Sequence, residues 1–439
     1  FQTPEVVMNY SDQGLNKMSQ NFHDLYRKRL AKGKYRDKER PVLINNWEGT
    51  YFDFNTDKIL KMAEAAAEVD IELFVLDDGW FGNRNDDTSS LGDWYVNEDK
   101  LPGGLEYLAD EINKLGMDFG LWFEPEMISP DSDLYRKHPE WAIQVPNREP
   151  KQSRQQLILD LSRRDVQDYI IERVSAILEN ANISYVKWDM NRPMTDYGSL
   201  KLNSERQSEL NHRYILGLYR VLEEITSSFP EVLFESCAGG GGRFDPGMLH
   251  YMPQTWTSDD TDAVERLKIQ YGTSMLYPSS AMGAHVSAVP NHQVERSPSL
   301  KMRYDVASFG NLGYELDITE LDAQEMEAVK KQVNNYKEIR ELVQFGDFYR
   351  LKSPFTGNFT AWSYISKDKS EILLGFYQIL AAPNPKEEFV KLKGLDAEAD
   401  YKELNSGEIY GGDELMNYGI KVPFLEGDFA SKVWRFERK

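Results

Sequence analysis

The chain has 439 residues, above the roughly 250–300 at which a single hydrophobic core stops growing, so one large and one smaller unit are expected. With 41% hydrophobic and 28% charged residues it has the composition of an ordinary water-soluble globular protein. A formal net charge of −21 lacks the cationic face a nucleic-acid partner needs, and no apolar run reaches the ~18 residues of a membrane span.

The opening FQTPEVVMNY has neither a basic nor an apolar leader region, and it begins with Phe1 rather than Met, as a processed form or a piece of a longer protein would. Residues 12–33 follow as an amphipathic helix running into a Lys/Arg-rich turn, and PVLINNW (41–47) as the first buried strand. DKILKMAEAAAEV (57–69) is helical, ELFVLDDGW (72–80) is a strand ending in acids, and GLEYLADEINKLG (104–116) is a helix stopped at Gly116. DFGLWFEPEM (118–127) is the next strand, and QLILDLS (156–162), SYVKWDMN (184–191), EVLFESCAG (231–239), PQTWTSDD (253–260) and a segment over 279–286 bring the number to eight. Helical stretches at 165–181, 208–229 and 262–276 separate them. Eight alternating β and α units imply a parallel sheet closed into a (β/α)8 barrel, here over residues 1–343, with chemistry at the C-terminal ends of its strands. After a helix at 321–343 the texture changes to short alternating runs at 359–366, 371–379, 387–394 and 431–438, punctuated by Pro and Gly. These predict a small C-terminal antiparallel β-sandwich over 344–439.

Acids gather just past the predicted strand ends, as Asp77, Asp78, Glu124, Asp189, Asp259 and Asp260. In SYVKWDMN, side chains two apart share a face, so Lys187 and Asp189 both point into the barrel mouth. A lysine beside an aspartate favours the ionised nucleophile, although an isolated K-x-D is also what a structural ion pair looks like. In PQTWTSDD, Asp259 looks inward with Thr257, while Asp260 begins the loop or caps the next helix. Carboxyls from strands five and seven then converge on one substrate, where a gap near ~5–5.5 Å means retention and ~6.5–9.5 Å inversion.

Asp77 and Asp78, followed by Gly79 and Trp80, suit bidentate hydrogen bonding to vicinal sugar hydroxyls. The competing reading is a divalent metal on Asp77, Glu124, Asp189 and Asp259, as in barrel enzymes of the enolase type; Trp47, Trp122 and Trp188 speak for a sugar instead. None of the six histidines forms an H-x-x-x-H pair, which weakens zinc further. The four glycines of ESCAGGGGRFD (235–245) lack the G-K-[ST] of a phosphate loop, and a backbone held close against a sugar is the better use of them. The single cysteine, Cys237, excludes an internal disulfide, fits a cytoplasmic location, and reads as a small packed residue rather than a nucleophile.

Taken together, VLDDGWFG (75–82), KWDMNR (187–192), SCAGGGGRFDPGML (236–249) and WTSDDTDAVERL (256–267) resemble glycoside hydrolase family 36, the α-galactosidases that include melibiases and raffinose-hydrolysing enzymes. The motifs occur in order, and the resemblance runs from about residue 4 to the end. It implies that Asp189 is the nucleophile and Asp259, the first Asp of SDD, the acid/base of a retaining enzyme acting on galactosyl oligosaccharides such as melibiose and raffinose. It also implies galactose binding by Asp77 and Asp78 with Trp47, Trp122, Arg154, Lys187, Asn191, Cys237 and Gly240; Arg154 and Asn191 come from the resemblance alone. No cofactor, metal, nucleic acid or membrane partner is expected. Members usually carry a β-sandwich ahead of the barrel that contributes oligomer contacts, and its absence before residue 4 leaves homo-oligomer formation open. Transglycosylation, an α-N-acetylgalactosaminidase and a non-catalytic carbohydrate binder are the competing functions, the last disfavoured because a binder has no need of both Asp189 and Asp259.

Overall fold

A computed structural model describes residues 3–439; Phe1, with its reading as a processed start, lies outside them. Eight parallel strands close into a barrel: β1 (Leu43–Asn45), β2 (Leu73–Leu76), β3 (Asp118–Phe123), β4 (Tyr185–Trp188), β5 (Leu233–Ser236), β6 (Gln254–Trp256), β7 (Met282–Ser287) and β8 (Asn311–Glu315). β8 pairs back onto β1, with Leu43 opposite Gly313. The strands are almost wholly buried, because helices cover the outside and side chains fill the inside. Those helices are α1 (Thr56–Glu68), α2 (Gly104–Lys114), α3 (Arg164–Asn180), α4 (Leu210–Ser228), α5 (Pro246–Tyr251), α6 (Ala263–Thr273), α7 (Leu300–Ala307) and α8 (Ala323–Phe345). Several start where the sequence supplies a cap: the Asn55 side chain accepts from the Lys58 N–H, and Asp322 and Glu325 form a capping box.

Several expectations need correction. QLILDLS is not a barrel strand; only Leu157–Ile158 is extended, paired antiparallel to Met127–Ile128 in the long excursion between β3 and α3. Its apolar run is buried there as thoroughly as a barrel strand would be, and burial alone does not separate the two cases. The eighth strand is β8, whose polar Asn311 disguises it; inside the barrel its amide donates to Gln254 Oε1 at 3.0 Å and to the Ser280 carbonyl at 2.8 Å. Asp189 and Asp259 therefore follow barrel strands four and six, not five and seven. The cap of α6 is Asp262 rather than Asp260: β6 ends at Trp256, the following loop is longer than expected, and Asp262 accepts from the N–H groups of Val264 and Glu265.

Beyond Gly346 lies a six-stranded antiparallel sheet of β9 (Asp347–Lys352), β10 (Phe359–Ile365), β11 (Glu371–Gln378), β12 (Asp400–Glu403), β13 (Ile409–Gly411) and β14 (Ala430–Arg438), in the order β9-β10-β11-β14-β12-β13. Its two faces follow the period of two. Trp362, Tyr364, Leu373 and Tyr377 join the barrel's core, whereas Ala361, Ile365, Ile372, Leu374 and Phe376 join a second one. That second core is closed by helix Gly412–Asn417 and the strand pair Phe389–Val390 with Ile420–Lys421, so the expected strand at 387–394 shrinks to two residues. Tyr364 Oη lies 2.6 Å from Ser279 Oγ and donates to the Phe309 carbonyl at 2.9 Å, and the Tyr377 hydroxyl donates to the Asp305 carbonyl at 2.8 Å. Among the described residues no helix is long and apolar enough to cross a membrane.

Candidate active site

At the C-terminal ends of the strands the barrel opens into a cavity of about 270 Å³ whose walls include Trp47, Asp77, Asp78, Trp122, Arg154, Lys187, Asn191, Asp189 and Asp259. Trp47 enters on a single helical turn after β1. That turn approaches the end of β8 so closely that a Cβ on Gly49 would lie 2.8 Å from the Asp317 nitrogen. Trp122 is the fifth residue of β3, and its indole N–H donates to Asp189 Oδ2 at 3.1 Å. Asn191 Nδ2 donates to the same oxygen at 2.8 Å, and the Met190 N–H donates to Oδ1 at 2.8 Å. Three N–H donors thus fix the orientation of the Asp189 carboxylate.

Lys187 and Asp189 both line the cavity, as strand alternation requires, but the lysine is not paired with Asp189. Its ammonium lies 2.9 Å from Asp77 Oδ2, which also accepts from Asn45 Nδ2 at 2.6 Å. Asp78 turns to Arg84, whose guanidinium forks onto both carboxylate oxygens at 2.6 and 2.8 Å, with both side chains buried. Burial still raises the Asp78 carboxyl above its usual range, the arginine only partly opposing it.

Past β6 the alternation ends, and Trp256 and Asp259, three residues apart, both reach the cavity. Asp259 is exposed through the cavity mouth, yet the surrounding protein strips enough solvent from its carboxyl to push it up to about 6, with the Asp189 charge the next cause and Lys187 and Arg154 opposing. Arg154 stands on a two-residue turn in which it and Gln155 both take left-handed backbone, φ 49° and 56°, and its Nη1 reaches the Asn191 carbonyl at 3.4 Å. Glu124 is fully enclosed. Desolvation, then the Asp189 charge, push it up to about 8, while Gln156 Nε2 donates to it at 2.7 Å and the Asn191 N–H donates to the same oxygen.

Cys237 and Gly240 are not part of the cavity wall. Cys237 is buried beside Asp189, where desolvation and then that charge drive its thiol well above the ordinary range, as expected of a packed, unreactive residue. Gly240 has φ +79°, and a Cβ there would sit 2.5 Å from Ser258 Cα and 2.7 Å from the Asp259 nitrogen. Gly240 therefore lies against the backbone that carries Asp259, while a Cβ on the neighbouring Gly239 would stand 3.9 Å from both Asn191 Oδ1 and Asp259 Oδ2. Among the described residues no three His, Cys, Asp or Glu side chains are grouped to hold a metal ion; the acids face Lys187, Arg84 and N–H donors instead.

Sequence reasoning passed over Glu48, Phe52, Arg84, Asp87, Gln156, Thr261, His292, Gln293 and Glu315, which also line the wall. Arg84 alone had a signal: two adjacent acids at the end of a buried strand require a cation nearby, and it stands six residues on.

Residues 1–346 match the Melibiase family model, and residues 359–436 match the glycosyl hydrolase family 36 C-terminal domain. Over 437 residues the chain is 63% identical to alpha-galactosidase AgaA of Geobacillus stearothermophilus and 50% identical to alpha-galactosidase Mel36A of Lactobacillus acidophilus, each alignment covering all of this chain and 60% of the relative. The crystal structure of AgaA superposes with a TM-score of 0.97 at 62% identity, over 98% of this chain and 60% of that one, and variants of the enzyme have been solved in complex with raffinose and with stachyose. This chain thus spans about 60% of the length of the curated relatives it matches.

Proposed function

Because the chain belongs to the melibiases of glycoside hydrolase family 36, we propose that it is a retaining α-galactosidase that removes terminal α-linked galactose from oligosaccharides such as melibiose and raffinose. The observation that carries this is the contrast between two carboxyls in one cavity. Asp189 is held by three N–H donors, whereas desolvation and the Asp189 charge raise Asp259 to about 6.

In the first step a carboxylate oxygen of Asp189 attacks the anomeric carbon, the glycosidic C–O bond breaks, and Asp259 transfers its proton to the departing oxygen. In the second, Asp259 takes a proton from water as the water oxygen attacks the galactosyl ester, releasing galactose and Asp189. Asp77 and Asp78, pinned by Lys187 and Arg84, are set to accept from vicinal galactose hydroxyls, while Trp47 and Trp122 supply apolar surface for the ring. Arg154 and Asn191 complete the polar contacts, and no step calls for a cofactor. Raffinose and stachyose are the substrates to try first, since AgaA variants bind both. The lone buried Cys237 supports action in the cytoplasm.

Hydrolysis of p-nitrophenyl α-galactoside by the wild-type chain and by Asp189→Ala, with proton NMR on the first sugar released, tests the mechanism. α-Galactose first, with activity lost in the variant, is the expected result. β-Galactose first overturns double displacement, and an inactive but folded wild type overturns the hydrolase reading.

A further inference from the structure

The loop after β7 carries no motif that suggests chemistry, yet it brings His292 and Gln293 into the wall of the cavity that holds Asp189 and Asp259. Its tip is wound around one buried amide: Asn291 Oδ1 accepts from the N–H groups of Gln293 at 3.0 Å and Val294 at 3.2 Å, and Asn291 Nδ2 donates to Thr261 Oγ1 at 3.0 Å. The remaining ties run to the segment bearing Asp259. Gln293 Nε2 donates to the Asp259 carbonyl at 2.9 Å, and Arg296 pairs with Asp262 and with Glu265. Loop and acid are fastened together.

His292 is 43% exposed, and its Nδ1 stands 3.6 Å from Glu48 Oε1, the oxygen that accepts from Thr261 Oγ1 at 2.7 Å. The Glu48 side chain is only 4% exposed; desolvation, then the charge of Glu315, push its carboxyl up to about 8. The imidazole is thus packed beside a carboxyl that adds little negative charge near Asp259 at neutral pH.

On the reading that Asp259 protonates the departing oxygen, groups fastened to Asp259 are the ones the departing sugar meets. We propose that His292 and Gln293 form the subsite for the leaving group, the neutral sugar ring linked to galactose, with Glu48 and Thr261 as positioning residues that orient His292. An imidazole and a primary amide each offer a donor and an acceptor, which suits a hexose bearing several hydroxyls and no charge.

The test compares kcat/KM for raffinose with that for p-nitrophenyl α-galactoside, whose leaving group has no hydroxyls, in wild type, His292→Ala and Gln293→Ala, with inhibition by free galactose measured alongside. In each variant the raffinose value is expected to fall about tenfold further than the aryl value, the galactose inhibition constant to shift less than about twofold, and His292→Asn to recover part of the loss. If His292→Ala does not fold, His292→Asn and Gln293→Ala carry the same comparison. Equal losses on both substrates, or galactose inhibition weakened in step, overturn the subsite. A folded wild type inactive on both substrates instead removes the α-galactosidase reading on which the subsite rests.

Discussion

The ammonium of Lys187 on β4 reaches past β3 to the carboxylate of Asp77 beyond β2, a contact of 2.9 Å between two side chains less than 10% exposed. Burial by itself would lower the ammonium and is the largest single influence, but the Asp77 charge, joined by those of Glu315, Asp189 and other neighbours, holds Lys187 well above the usual lysine range. A raised cation contributes stability that is complete below its unfolded value and lost only as pH rises through the folded one, so the pair stays intact through neutral pH. Lys187→Met leaves Asp77 buried without its cation, and thermal denaturation should show a loss of about 3–5 kcal/mol. A Tm within about 2 °C of wild type would show that the Asp77 charge is met in another way.

The protonated form of Asp259 is the active one, so kcat/KM for the aryl galactoside should fall on the alkaline side with an apparent pKa near about 6. Desolvation and Asp189 set that value, and Arg154 is among the charges holding it down. Arg154→Ala is therefore expected to move the alkaline limb to higher pH while raising KM. A limb that stays fixed assigns it to another group.

Removing either acid should separate the two steps. Asp259→Ala is expected to cost on the order of 10²–10⁴ in kcat/KM for raffinose, and azide added with an aryl galactoside should be captured as α-galactosyl azide. Asp189→Ala with azide should yield β-galactosyl azide, because the ion enters from the face the carboxylate vacated. NMR of the products decides, and the same anomer from both variants would contradict the assignment.

Glu126, three residues past the end of β3, has no exposed surface and accepts from Trp188 Nε1 at 2.9 Å, the Tyr214 hydroxyl at 2.6 Å and both Arg243 terminal nitrogens at 2.8 and 2.7 Å. Burial opposes ionisation, yet Arg243 and these donors hold the carboxyl below its ordinary range. Such a group contributes stability above its unfolded pKa and loses it as pH falls through the folded value. Arg243→Met should cost about 3–5 kcal/mol and shift acid unfolding to higher pH, followed by circular dichroism. An unchanged acid midpoint would count against this network.

Gly240→Ala asks a side chain to enter backbone at φ +79° and to occupy a point 2.5 Å from Ser258 Cα. The expected outcome is a loss of about 1–3 kcal/mol together with a fall in kcat, because the yielding segment is the one bearing Asp259. Full kcat in a folded variant would show that the segment relaxes without moving the carboxyl.

Periodicity found seven of the eight barrel strands, because each is a short apolar run set off by helical text. It failed where burial and polarity misled: Leu157–Ile158 is apolar but lies in an excursion, and β8 hides behind Asn311 and Gly313. The residues past the strand ends were legible for the same reason the strands were. Glu48, Thr261 and His292 were not, since they meet only through turns whose course no local pattern encodes. Asp260 was mistaken for a cap because strand alternation was carried four residues beyond the end of β6.

The anchors of the C-terminal sheet, Ser279 and Phe309, stand just before β7 and β8, whereas Asp259 and His292 stand beyond the far ends of their strands. Strands of five or six residues keep the two levels roughly 15–20 Å apart. Part of the protein's heat tolerance is thereby lodged at the pole of the barrel opposite its turnover. A mutational library confined to the tyrosine-bearing face of β10 and β11 should spread widely in melting temperature while its survivors keep parental kinetics, which makes that face the place to harden this protein for a hot process stream.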